Sequence, residues 1–145
     1  MTFCREEIEL IGIIGAGGHA KVISEIFQSA VSTRRQKLVF FSKQPDQASA
    51  FFHSFAHYDD SKDQLKKKGA KIKFWHAAIG NIRVRKEKIT LLKELQFQLI
   101  SAIHPAATLS PSCKIGEGTS VMAGCVINSE AEIGSGCIIN TVASI

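Results

Sequence analysis

Over the last third of the chain, aliphatic side chains recur at every sixth position: Ile103, Leu109, Ile115, Val121, Ile127, Ile133, Ile139 and Ile145. Four residues after each of the first seven stands a small side chain: Ala107, Cys113, Thr119, Cys125, Ala131, Cys137 and Ala143. An amphipathic helix needs apolar spacing near 3.6, and a hairpin sheet needs strict alternation broken by variable turns, so a fixed period of six fits neither. It predicts a parallel β-helix, in which each hexapeptide supplies one short strand and a turn and three of them close a coil of about eighteen residues. The aliphatic residue then fills the prism and the small residue fits the corner. On this register Ile103, Val121 and Ile139 stack on one face, Leu109, Ile127 and Ile145 on the next, and Ile115 and Ile133 on the third. Gly116, Gly118, Gly124, Gly134, Gly136, Asn128 and Asn140 are expected at turn positions.

The first half has a different rhythm. Ile11–Ile14 reads as a buried strand, Gly15-Ala16-Gly17-Gly18-His19-Ala20 as a glycine-rich turn, and Lys21 to Ala30 as a helix with Val22, Ile23, Ile26 and Phe27 inward. Glycines without a Cβ let backbone N–H groups approach a phosphate, and the helix start adds partial positive charge, so this loop suits a diphosphate. Its spacing matches the dinucleotide fingerprint with Ala20 at the third glycine position. The acidic residue that would hold an adenosine ribose is missing, because the second strand, Leu38–Phe41, runs into Ser42 and Lys43. This favours a uridine or cytidine sugar nucleotide over NAD. A third strand is expected near Ile72–Ile79, then Gly80-Asn81, a helix from Ile82 to Gln96, and a last strand from Phe97 to Ala102.

Composition narrows the class. With 45% hydrophobic and 21% charged residues among 145, the chain has the balance of a soluble globular protein. No apolar run reaches the ~18 residues of a membrane span, and the acidic start Met1–Glu7 does not resemble a secretion signal, so a cytoplasmic location is expected. The net charge of +5 comes mainly from Lys62–Lys73 and Arg83–Lys93, which read as wet faces of amphipathic segments rather than as a nucleic-acid footprint. Cys4, Cys113, Cys125 and Cys137 show neither zinc spacing nor a disulfide framework. The repeat places the last three at its small position, where they are expected to be buried, reduced and unreactive.

Taken in order, the Gly15–His19 loop, Ala78-Ile79-Gly80-Asn81, His104-Pro105 and the hexapeptide run ending Ile138-Ile139-Asn140-Thr141 resemble the bacterial sugar acyltransferases of the sialic-acid O-acetyltransferase and UDP-4-amino-sugar N-acetyltransferase type (NeuD/PglD-like). The resemblance covers nearly the whole chain. It implies an α/β fold: a small Rossmann-like parallel-sheet domain over 1–102 that binds a nucleotide sugar, followed by the first coils of a left-handed parallel β-helix over 103–145. It further implies acetyl-CoA as acyl donor, N- or O-acetylation in surface-glycan synthesis, and a homotrimer with active sites between solenoids. Gly15, Gly17, Gly18 and His19 would line the phosphate loop, with Gly80 and Asn81 nearby and His19 donating to a phosphate or sugar oxygen. Ser42 and Lys43 stand where many members carry paired acidic residues, which leaves the sugar open.

Acyl transfer needs a base for the acceptor's proton and an N–H donor for the oxyanion. The resemblance implies a histidine base soon after the segment Asn140–Ile145, so these residues alone are expected to be inactive. The alternative is a non-catalytic nucleotide-sugar-binding or assembly module. His104 reads as structural or exposed, and His53, His57 and His76 read as solvated surface histidines.

Overall fold

The computed structural model describes residues 8–30 and 35–145; Cys4 and the Met1–Glu7 start lie outside them. Five parallel strands form one sheet: β1 (Glu9–Ile14), β2 (Gln36–Ser42), β3 (Ala56–Asp59), β4 (Phe74–Ala77) and β5 (Gln98–Leu99), in the order β3-β2-β1-β4-β5. Three helices connect them, α1 (Gly18–Ser29), α2 (Lys62–Gly69) and α3 (Ile82–Glu94), while two short 3-10 turns, Pro45–Gln47 and Ala50–Ser54, bridge β2 to β3. The sheet is buried on both faces, as its apolar runs require. Ile11, Ile13, Leu38 and Phe40 turn to the side of α1 and the Phe52 turn, whereas Ile14, Val39, Phe41 and Trp75 turn to Leu65 of α2 and Leu92 of α3. A glycine interrupts β1 at position 12 because a Cβ there would lie 2.5 Å from the Trp75 ring.

Seven two-residue strands follow: β6 (Ala102–Ile103), β7 (Thr108–Leu109), β8 (Lys114–Ile115), β9 (Ser120–Val121), β10 (Val126–Ile127), β11 (Glu132–Ile133) and β12 (Ile138–Ile139). They stack in parallel as β6-β9-β12, β7-β10 and β8-β11, which pairs Ile103 and Ile139 with Val121, Leu109 with Ile127, and Ile115 with Ile133. Ser144 bridges to Val126 and so brings Ile145 to the second face. This is the parallel β-helix in the register that the hexapeptide spacing predicts.

The differences are local. Edge strand β3 and helix α2 went unread in the sequence, and the segment expected as a strand from Ile72 to Ile79 is extended in the sheet only over Phe74–Ala77. Helix α1 starts at Gly18 and leaves Val22 41% exposed, on the face away from Ile23, Ile26 and Phe27. Helix α3 ends at Glu94 because Gln96 turns left-handed at φ 59°. In the solenoid the left-handed turn residues are Gly118, Gly124, Glu130, Gly136 and Val142, again six apart, and not Gly116, Gly134, Asn128 or Asn140, which precede the turns. Of the repeat cysteines only Cys125 is buried, within the apolar cluster running from α1 into the solenoid. Cys113 and Cys137 lie at half-exposed corners.

Candidate functional site

In a sheet of this order the strand sequence reverses between β1 and β4, and a crevice opens there at the carboxyl ends of the strands. The loop Gly15–Gly17 and the segment Ala78–Asn81 form its two sides. Ala78 N–H donates to Ile14 O and ties the two sides at the base, while Gly15 N–H donates to Phe41 O and ties the loop to β2, both at 2.8 Å. Gly15 holds φ +124°, and a Cβ there would run into the Ala78 carbonyl, so the close approach of the two strand ends requires glycine.

Helix α1 begins at this point without a cap. Its N-cap is Gly17, no side chain serves its first turn, and no acidic residue stands in it. The first N–H groups of a helix have no intrahelical partner and carry the positive end of its dipole, so they are left to an incoming anion. A Cβ built at Gly17 or Gly18 meets nothing within 4 Å. Space for a ligand therefore lies directly against this backbone. Helix α3, by contrast, is closed: Asn81 Oδ1 accepts from Arg83 N–H at 3.0 Å and Val84 N–H at 3.1 Å.

The structure brings Gly15, Gly17, Gly18, His19, Gly80 and Asn81 to the two lips of the crevice. Ser42 ends β2, one strand over, and Lys43 follows it; Ser42 Oγ is hydrogen-bonded to His57 Nε2 at 2.8 Å, and Lys43 is exposed. The Asn81 carboxamide oxygen is spent on capping, while Gly80 is exposed.

Two functional-looking residues escaped the sequence reading. Arg85, assigned there to a wet face, is 7% exposed and donates through Nη1 to Ile79 O at 2.8 Å and Gly80 O at 2.9 Å, and through Nε to Gly136 O at 3.0 Å. Its spacing to Ile89 and Leu92 places it on the inward side of α3, a signal that was available. His76, expected on the surface, is fully buried, with Nδ1 2.9 Å from Ile100 O and Nε2 3.0 Å from Ser120 Oγ. It is sealed because the first coil of the solenoid packs over β4. Burial lowers its pKa to about 4, the Ile100 carbonyl opposes this, and His19 and Arg85 add to it. His19 is half-buried beside it, Nε2 lying 3.4 Å from Ser120 Oγ; burial first, then the Arg85 charge, lowers its pKa too.

The model of the PglD N-terminal domain matches residues 10–92, and that of the bacterial transferase hexapeptide (six repeats) matches residues 103–141. The chain belongs to the PglD N-terminal domain family. Among its relatives is the UDP-N-acetylbacillosamine N-acetyltransferase of Bacillus subtilis (strain 168), 35% identical over 123 residues, which cover 78% of this chain and 51% of the relative. PerB from Caulobacter crescentus, solved with CoA and GDP-perosamine, shares 34% identity at a TM-score of 0.78 over 93% of this chain and 61% of its own. The acetyltransferase domain of PglB from Neisseria gonorrhoeae FA1090, solved with acetyl coenzyme A, shares 30% identity at a TM-score of 0.81, covering 96% and 65%. The chain thus spans about half the length of the curated relative and under two thirds of the solved ones.

Proposed function

We propose that this chain supplies the nucleotide-sugar-binding domain, residues 1–102, and the first β-helix coils, residues 103–145, of an acetyl-CoA-dependent sugar acetyltransferase of glycan synthesis. The observation that carries the reading is the uncapped, side-chain-free start of α1 at the β1/β4 crevice, docked against a hexapeptide solenoid. Gly17 and Gly18 with the first N–H groups of α1 take the diphosphate, Gly15 sets the approach of the two lips, and His19, Gly80 and Asn81 border the sugar or ribose. Ser42 and Lys43 lie one strand further out and reach the nucleoside end. The relatives act on a UDP-sugar in one case and are bound to a GDP-sugar in another, which agrees with a site that reads the diphosphate before the base.

The acyl donor is acetyl-CoA, which carries the acetyl group as a thioester. Among the described residues every buried polar side-chain atom already has a partner, so none of these buried groups is left open to hold the donor. Nor is any of these histidines assigned as the base for the acceptor amine. His76 is sealed, His57 holds Ser42, and His104 Nδ1 accepts from Ala106 N–H at 3.0 Å. Val126 of β10 is 40% exposed, and we propose that the solenoid self-associates as a homotrimer in the cytoplasm. No helix among the described residues is long and apolar enough to cross a membrane.

Calorimetric titration with UDP-sugars, GDP-sugars and NAD tests the reading. Sugar nucleotides bind and NAD does not; Gly17→Val weakens the sugar nucleotide by about tenfold or more, equivalent to ~1.4 kcal/mol, with no loss of thermal stability, because its side chain enters ligand space. NAD binding with no response to any sugar nucleotide would refute it.

A further inference from the structure

The hydrogen bonds joining the phosphate loop to the solenoid run in one direction only, and that direction fixes what His19 offers a ligand. The Ile100 carbonyl can only accept, so His76 Nδ1 carries a hydrogen. The His76 ring is fully buried without a carboxylate partner, which keeps it neutral and leaves Nε2 bare. Ser120 must then donate its one hydrogen to His76 Nε2, and its oxygen is left to accept. The hydrogen on the other side of Ser120 therefore sits on His19 Nε2. In a neutral imidazole one nitrogen donates and the other accepts, so His19 Nδ1 is a bare lone pair. No buried side-chain nitrogen or oxygen among the described residues is unpartnered, and His19 Nδ1 makes no hydrogen bond to any of them, so it is reached by solvent.

We infer that Ser120 and His76 are positioning residues that hold His19 in the Nε2–H form, so that its Nδ1 accepts a hydrogen bond from a hydroxyl of the bound sugar nucleotide. This rests on the sugar-nucleotide reading and replaces the donor role expected for His19. A phosphate oxygen has no hydrogen to give and is repelled by a lone pair; a ribose or hexose hydroxyl can donate. The lowered pKa of His19, from burial and from Arg85, works in the same sense. Division of labour follows: the diphosphate falls to the backbone N–H groups of α1, and the hydroxyl to His19. Because Ser120 belongs to β9, the ligand contact at the first domain is set by the solenoid.

The test is long-range proton–nitrogen NMR on the full 145-residue chain labelled at histidine, which reads tautomers directly. His76 is expected as Nδ1–H and His19 as Nε2–H, both before and after addition of UDP or UDP-N-acetylglucosamine. A change at His19 Nδ1 with UDP alone identifies a ribose hydroxyl; a change only with the sugar nucleotide identifies a hexose hydroxyl. Ser120→Ala is expected to shift His19 to a mixture of tautomers and to weaken the nucleotide about fivefold, the loss of roughly one hydrogen bond. His19 found as Nδ1–H in the native protein, or as imidazolium once nucleotide is bound, overturns the inference while the binding site stands. The expected tautomers with no nucleotide bound at any concentration overturn the acceptor role together with the proposed ligand, and leave the relay intact.

Discussion

Acidification from about pH 7.5 to about pH 5 should make this protein markedly easier to unfold, and His76 is the main cause. Its ring is fully buried, and that burial takes its pKa from the ordinary 6.5 to about 4. Unfolding returns the ring to water and to 6.5. Between the two values the unfolded chain binds a proton that the folded chain refuses. The contribution of the neutral ring is therefore complete above pH 6.5 and is lost as the pH falls towards 4. At about 1.36 kcal/mol per pH unit the whole interval is worth roughly 3 kcal/mol, and the part above pH 5 about 2 kcal/mol. His19 and His57 push in the same direction, each mainly through burial, against Asp46 in the case of His57; both are partly exposed, so water screens most of their effect. Asp59, held below the usual carboxylate range by its hydrogen bonds to Ser61, matters only at lower pH. Urea unfolding followed by the fluorescence of Trp75, the single tryptophan, measures the loss directly. His76→Gln, which keeps a donor and an acceptor but does not titrate, should flatten most of the slope. A stability constant to within about 0.5 kcal/mol across this range, or a His76 resonance titrating near its unfolded value, would refute the reasoning.

Gly12→Ala should destabilise the protein by about 1–3 kcal/mol, read as a lowered urea midpoint, because the new methyl overlaps the buried Trp75 ring in a packed layer. Val142→Asn should stabilise it by about 1 kcal/mol in the same assay, since a β-branched residue sits at φ 63° with its side chain 74% exposed and little packing to lose. Thiol labelling of the native protein should spare Cys125, which is fully buried with Sγ 3.0 Å from Asn140 O, and modify Cys113 and Cys137 faster; equal rates at all three would contradict the packing described.

The solenoid was legible because its restraint is local and repeats: the corner needs a small residue and the prism an aliphatic one, so Ile103, Val121 and Ile139 announce their own stacking. The left-handed turn slots are equally periodic, yet Glu130 and Val142 hide two of them, since neither residue type signals that conformation. Strand β3 was invisible for a different reason. Ala56-His57-Tyr58-Asp59 is an edge segment of half-buried residues with no apolar alternation, and it extends because β2 offers it a partner, not through its own propensity. At the candidate site, the strand, glycine turn and helix of Ile11–Ala30 could be read because that pattern is local. His76 and Arg85 could not, because their burial is created by tertiary docking, through partners 44 and 51 positions away in the sequence.

That docking also explains why polar groups are buried at the junction at all. Only Ile100 and Ser101 separate β5 from β6, so register is set by the chain, but a two-residue joint leaves a rigid solenoid free to swing. The apolar cluster from Ile23 and Phe27 through Ala102 to Val121 and Cys125 opposes separation, yet hydrophobic contact is non-directional and tolerates small rotations. Hydrogen bonds do not. Ser120 is held to His76 and His19 on β9, the Gly136 carbonyl to Arg85 at the turn before β12, and Glu117 to Lys93 at 2.7 Å near the foot of the first coil. The three ties grip three separate segments of the solenoid, and a swing that preserved one would stretch the others. His76, Ser120 and Arg85 are buried, so breaking either of the first two ties costs desolvation without compensation, whereas the half-exposed Lys93–Glu117 pair adds orientation more than energy. The result is a fixed distance and angle between the Gly17–Gly18 backbone and the solenoid wall. The proposed acyltransferase role would require that rigidity: with a diphosphate held at the first unit and the acceptor group presented to chemistry on the solenoid, small misplacements of reacting atoms are costly in rate.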